Sequence, residues 1–82
     1  LTGDQLGFAQ NQVLESLLKI TEDADWSLRY AAIVGLQALA LTLSSEQTEA
    51  IALRLQQIDQ IDTDRAVQAR SRMALKVLAD AC

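Results

Sequence analysis

Two runs of acidic side chains are the first candidates for chemistry: Glu22, Asp23 and Asp25, then Asp59, Asp62 and Asp64. Carboxylates this close could hold a divalent cation or form a general acid–base pair. A calcium loop of the EF-hand type needs glycine at its sixth position and glutamate at its twelfth. Counted from Asp59, those positions hold Asp64 and Arg70. Each run instead stands directly before a stretch of helical periodicity, where carboxylates accept the free backbone N–H groups and complement the helix dipole. The aspartates are therefore read as helix caps, and no metal site is expected. Histidine is absent, which removes Ser-His-Asp and Cys-His catalysis and every histidine-bearing zinc site. The lone cysteine, Cys82, has no internal disulfide partner and no base to activate it. No catalytic residue is assigned.

Two further groups suit binding. Trp26 and Tyr30 stand four apart, neighbours on one helix face, and could form a small aromatic platform. Packing on the preceding helix is the alternative. Arg65, Arg72 and Lys76 fall within about 40° of one another on a helix, a basic stripe in a chain of net charge −4. It could meet propionate groups or an acidic partner surface, or be a solvated outer face.

The elements that carry these residues follow from composition and period. Half of the 82 residues are apolar; 14 are Leu and 13 Ala, with no proline and one each of Phe, Trp and Tyr. Leu and Ala favour helix, so the fold class is all-α. Four helices are placed. The first spans about Asp4 to Ile20, with Leu6, Val13, Leu14, Leu17 and Ile20 on its inner face and Phe8 nearly opposite. The second spans about Trp26 to Leu43, with Leu28, Ala32, Leu36, Leu39 and Leu43 as its main stripe. Its apolar surface covers most of the circumference, so neighbours should cover it on more than one side. Ser44 and Gln47 fit a capping box opening the third helix, which runs to about Ile58 around Ile51, Leu55 and Ile58. The fourth runs from about Arg65 to Ala79, with Val67, Ala74, Leu75 and Leu78 inward. Met73 and Val77 lie outside that line, where a following repeat or another chain would sit. The short connections make neighbours antiparallel.

The halves repeat. At an offset of 39, Asp23, Asp25, Leu36, Leu39 and Ala40 recur as Asp62, Asp64, Leu75, Leu78 and Ala79. Leu28 becomes Val67 and Gly35 becomes Ala74. Such self-similarity marks a helical solenoid. The run Asp25-Trp26-Ser27-Leu28-Arg29-Tyr30-Ala31-Ala32-Ile33-Val34-Gly35-Leu36 resembles the HEAT repeat, with its Asp, aliphatic-Arg pair and small residues before a Leu. Continued through Gln37-Ala38-Leu39, it is similar to the HEAT-like repeats of the phycobilisome lyase family of cyanobacteria and red algae. The second copy departs from the pattern, with Gln68 in place of Arg29 and Arg70 in place of Ala31.

The resemblance implies a short HEAT-like α-solenoid of about two repeats over residues 1–82, right-handed. It also implies that Arg29 reaches an aspartate of the next repeat, Asp62 or Asp64, or nearby carbonyls, with Asp25 as its structural companion. Family lyases attach or remove a phycobilin at a cysteine of a phycobiliprotein subunit, commonly as two-subunit assemblies. The implied ligand is phycocyanobilin, not held covalently, and the implied partner is a phycobiliprotein subunit or a second lyase subunit. A non-catalytic protein–protein scaffold is the alternative, and homodimerisation is a further expectation. Net charge −4 argues against nucleic acid, which needs a basic footprint. The longest uncharged run, Tyr30 to Ser45, is 16 residues, short of the ~20 that a membrane span requires. There is no basic-then-apolar leader pattern, and a cytoplasmic location is expected. The start without methionine and the stop after a helical pattern read as a piece of a longer chain.

Overall fold

The computed structural model describes residues 3–81, with side chains from residue 7 onward. The inward Leu6 and Cys82 expectations lie outside the described residues. Four helices fill the chain: α1 (Gly3–Ile20), α2 (Trp26–Ala40), α3 (Ser45–Ile61) and α4 (Arg65–Asp80). Among the described residues there is no strand, and no helix is long and apolar enough to cross a membrane. The fold is all-α and fits a short helical-repeat solenoid.

Local chemistry sets the helix boundaries. The Asp25 carboxylate accepts the Ser27 N–H at 2.9 Å, and the Asp64 carboxylate accepts the Val67 N–H at 3.0 Å. Ser44 and Gln47 form a reciprocal capping box at the start of α3. Two ends differ from the periodicity. The second helix stops at Ala40 rather than Leu43, because the amides of Leu41, Thr42 and Leu43 turn to carbonyls three residues back. That tightening lets Ser44 begin the next helix at once. The third continues three residues past Ile58 to Ile61, where the Asp62 amide makes the last helical bond to the Ile58 carbonyl.

The core gathers Leu14 from α1, Ile33 and Leu36 from α2, Ile51, Leu55 and Ile58 from α3, and Val67, Ala74 and Leu78 from α4. The α3 stripe is the expected one. On α1 the stripe is narrower than the periodicity gives: Leu14 is buried and Leu17 half-buried, while Val13 and Ile20 are exposed. The reason is that α1 packs chiefly on α2 alone. On α2, Leu28 is exposed whereas Ile33, placed beside the stripe, is fully buried. On α4, Leu75 is only half-buried and Ser71 takes a fully buried place.

Consecutive helices pack on one another, and α2 packs against α1, α4 and, less extensively, α3. The fold is therefore two helix hairpins side by side, α1–α2 and α3–α4, in a slab 41 × 28 × 14 Å. Its 14 Å thickness suits two helix layers with axes about 8–10 Å apart. Gly35 permits a close approach of α1 to α2. A Cβ built there would lie 3.1 Å from a methyl of Leu17.

Candidate functional site

The turn before α2 and the turn before α4 carry the same acidic pattern, and one arginine joins them. Arg29 donates through Nε to Asp62 Oδ2 at 2.9 Å and through Nη2 to Asp62 Oδ1 at 3.0 Å. Its remaining nitrogen, Nη1, donates to the carbonyls of Asp23 and Ala24, each at 3.0 Å. One fork therefore ties its own turn to the next repeat. The two side chains are 12% and 8% exposed. Asp62 takes the arginine, and Asp64 serves as the cap. The Asp62 carboxylate also accepts the Asp64 N–H at 2.9 Å. Burial would raise the Asp62 carboxyl, but Arg29's hydrogen bonds, the Asp64 amide and the guanidinium charge together hold it below the usual carboxylate range. Those hydrogen bonds raise Arg29 correspondingly. Asp25 is also lowered, first by the Ser27 hydroxyl and then by the Ser27 amide.

Gln68 stands where Arg29 stands in the first copy. It donates to the Asp62 carbonyl at 2.6 Å, as Arg29 donates to the Asp23 carbonyl. Glutamine thus repeats the tie to its own turn but carries no charged fork for a following carboxylate.

The proposed binding residues fall on the layer formed by α2 and α4. Trp26 and Tyr30 meet edge to face, with ring centroids 6.5 Å apart and planes at 88°. Trp26 is 51% exposed, while Tyr30 is half-buried against the core. Because α4 packs beside α2 at an offset of 39, α4 presents Arg65, Met73 and Lys76 at the positions of Trp26, Val34 and Gln37. Trp26, Val34, Arg65, Met73 and Lys76 are all exposed. An aromatic-apolar row and a basic-apolar row therefore run side by side. Arg72, exposed on the same helix, pairs with Asp59 at 2.8 Å, so its charge, unlike the stripe read from the sequence, is already partnered. Val34 and Met73 complete the face, and the 39-residue offset is the signal that could have found them.

A second link escaped the sequence reading. Arg54 on α3 donates to the Thr21 hydroxyl at 3.1 Å and pairs with Glu22 at 3.0 Å. It anchors the turn after α1 as Arg29 anchors the turn before α4. Its one legible sign was a charge inside the otherwise uncharged run Ala50 to Ile58. Among the described residues no cluster of three His, Cys, Asp or Glu side chains has metal-holding geometry.

Comparison with known proteins gives consistent relatives. The chain is 46% identical over 66 residues to phycocyanobilin lyase subunit beta of Nostoc sp., covering 80% of this chain and 32% of that protein. It is 44% identical over 59 residues to phycocyanobilin lyase subunit beta of Mastigocladus laminosus, covering 72% and 53%. It is also 44% identical over 71 residues to a phycobilisome maturation protein of Synechococcus elongatus, covering 85% and 34%. The chain spans between a third and about half the length of these curated relatives. No family model matches it, and no solved structure does.

Proposed function

By sequence the chain belongs with the phycobilisome bilin lyase family, and on that premise we propose that it contributes a bilin-handling surface to a lyase or phycobilisome maturation protein. The observation that carries this is the paired row on α2 and α4: Trp26, Tyr30 and Val34 beside Arg65, Met73 and Lys76. A linear tetrapyrrole is a long conjugated plane with two propionates. Its plane would lie on Trp26, Val34 and Met73, and its carboxylates would meet Arg65 and Lys76. Aromatic and arginine contacts supply much of the energy at such surfaces. The role would be positioning: holding the bilin beside an acceptor cysteine makes an otherwise bimolecular addition effectively unimolecular, with no triad required.

The test is the visible spectrum of phycocyanobilin mixed with the protein. A red-shifted, sharpened band is expected, weakened by Trp26→Ala and by Lys76→Glu, together with quenching of Trp26 emission that Lys76→Glu weakens. An unchanged spectrum at high protein excess would sink the reading. The second reading is a scaffold that docks a phycobiliprotein subunit or the other lyase subunit, favoured by the exposed apolar side chains on a flat layer. Capture of a bilin-free phycobiliprotein subunit, with the bilin spectrum unmoved, would select it.

A further inference from the structure

Three of the seven basic residues pair with carboxylates: Arg29 with Asp62, Arg54 with Glu22 and Arg72 with Asp59. Lys19, Arg65 and Lys76 are exposed and keep their water. Arg70 is the exception. It is half-buried, it pairs with no carboxylate among the described residues, and its Nη1 is enclosed without a hydrogen-bond acceptor. A covered lysine can shed its proton, but a guanidinium keeps its charge. A covered cation left unpaired is costly and calls for an anion. The place is marked in the sequence as well, because Arg70 stands where the first repeat has Ala31.

Helical phase places this arginine. At about 100° per residue, the buried Val67, Ser71, Ala74 and Leu78 make one stripe of α4. Half-buried Gln68 and Leu75 flank it on one side, half-buried Arg70 and Val77 on the other. The Leu75 flank opens on a groove shared with Leu43 and Ala52. The Arg70 flank therefore borders α2, the other helix on which α4 packs. Val77, expected on the side of a following repeat, stands on this flank instead. On α2 the flank occupied by Gly35 meets Leu17 of α1, which leaves half-buried Tyr30 and Gln37 on the side of α4. Gln37 Oε1 is also enclosed, with no donor to it. One seam thus holds an unpaired cation and an unpaired acceptor. Exposed Val34 and Met73 stand just outside it, one on each helix.

We propose that the seam between α2 and α4 is a carboxylate-binding site, in which Arg70 takes an acidic side chain of a flat, conjugated ligand lying on Val34 and Met73. The inference deepens the reading above and rests on it for the class of ligand. It moves one ligand carboxylate from the solvated Arg65 and Lys76 to the covered Arg70, where a charge-assisted bond is stronger. Gln37 accepts an N–H or O–H of the same ligand. Both walls of the seam are helices of this chain, so the site does not depend on what a further hairpin would cover.

Two pairs of probes test it by fluorescence or absorbance titration: pyrenebutyrate against its methyl ester, and phycocyanobilin against its dimethyl ester. Each acid is expected to bind roughly ten- to a hundredfold tighter than its ester. Arg70→Gln, with helicity unchanged by circular dichroism, is expected to abolish that preference and to leave ester binding as it was. The untouched ester affinity separates a direct contact from a structural role. Should Arg70→Gln lose helicity, the Arg70 Nε–H signal of the wild type decides by NMR: it is expected to shift with pyrenebutyrate and to stay in place with the ester. Acid and ester binding alike, no binding of any of the four probes, or a folded Arg70→Gln that still prefers the acids overturns the proposal. The two readings fail separately. Phycocyanobilin bound with no preference over its ester sinks the Arg70 site and leaves bilin handling. Pyrenebutyrate held through Arg70, with the bilin spectrum unmoved, sinks bilin handling and leaves the site.

Discussion

At the scale of residues, the Arg29–Asp62 fork is a two-pronged, nearly covered ion pair, and its contribution is pH-dependent. The Asp62 carboxyl lies below its ordinary value in the folded protein. An unfolded chain then takes up the proton first as pH falls. The fork's contribution is therefore complete above the ordinary aspartate value of about 3.9 and is lost as pH drops through the lower folded value. Asp62→Ala should cost roughly 1.5–3 kcal/mol at neutral pH, since it removes charge-assisted bonds from a nearly covered site. Thermal melts between neutral and strongly acidic pH check this: the gap between variant and wild type should close in acid. A gap that is constant with pH would show that packing, not the carboxylate, is being measured. Leu36, with 0% exposure, sits where α2 is covered on several sides, and Leu36→Ala should lose about 2–5 kcal/mol in urea unfolding. The fork was legible because the aspartates recur at a fixed offset. Choosing Asp62 over Asp64 was not, since a cap and an ion-pair partner look alike in sequence. Arg54 was missed for a related reason: its partners, Thr21 and Glu22, carry no periodic signal.

At the scale of elements, caps were easier to read than faces. The Ser44–Gln47 box depends on four consecutive residues, so local chemistry decides it, and Ser44→Ala should cost about 1 kcal/mol. Helix faces depend on how many neighbours a helix has, and single-helix periodicity does not contain that count. This is why Val13, Ile20 and Leu28 fit an inner stripe by spacing and are nevertheless exposed. Gly35 offers a sharper test of the α1–α2 contact. Alanine there would press on Leu17, whose half-buried side chain can yield, while helix propensity favours alanine. Gly35→Ala is expected to stabilise by about 0.5 kcal/mol. A clear fall in melting temperature would mean that Leu17 is held rigidly and that the two helices cannot part by a few tenths of an ångström.

At the scale of the molecule, the repeat architecture makes stability uneven in a predictable way. In a solenoid each unit is stabilised mainly by its neighbours, so a helix with one neighbour opens before a helix with three. Here α2 lies against α1, α3 and α4, whereas α1 lies chiefly against α2. Leu14 is the one buried apolar side chain among those described on α1. Side-chain bonds from α1 itself to the rest are few and exposed, Gln10 to Thr42 and Gln47 to Asn11, while the turn after it is held by Arg54 at Thr21 and Glu22 and by Arg29 at the Asp23 and Ala24 carbonyls. Amide hydrogen exchange under native conditions should therefore divide the chain. Amides in the middle of α2, α3 and α4 are expected to exchange together through global unfolding. Those of α1 should exchange faster through a local opening that leaves the Arg29–Asp62 fork intact, because the fork joins the α2 and α4 turns. Arg54→Ala should speed the α1 amides and leave α4 unchanged, which separates that local opening from global destabilisation. Uniform protection across all four helices would contradict the nearest-neighbour picture.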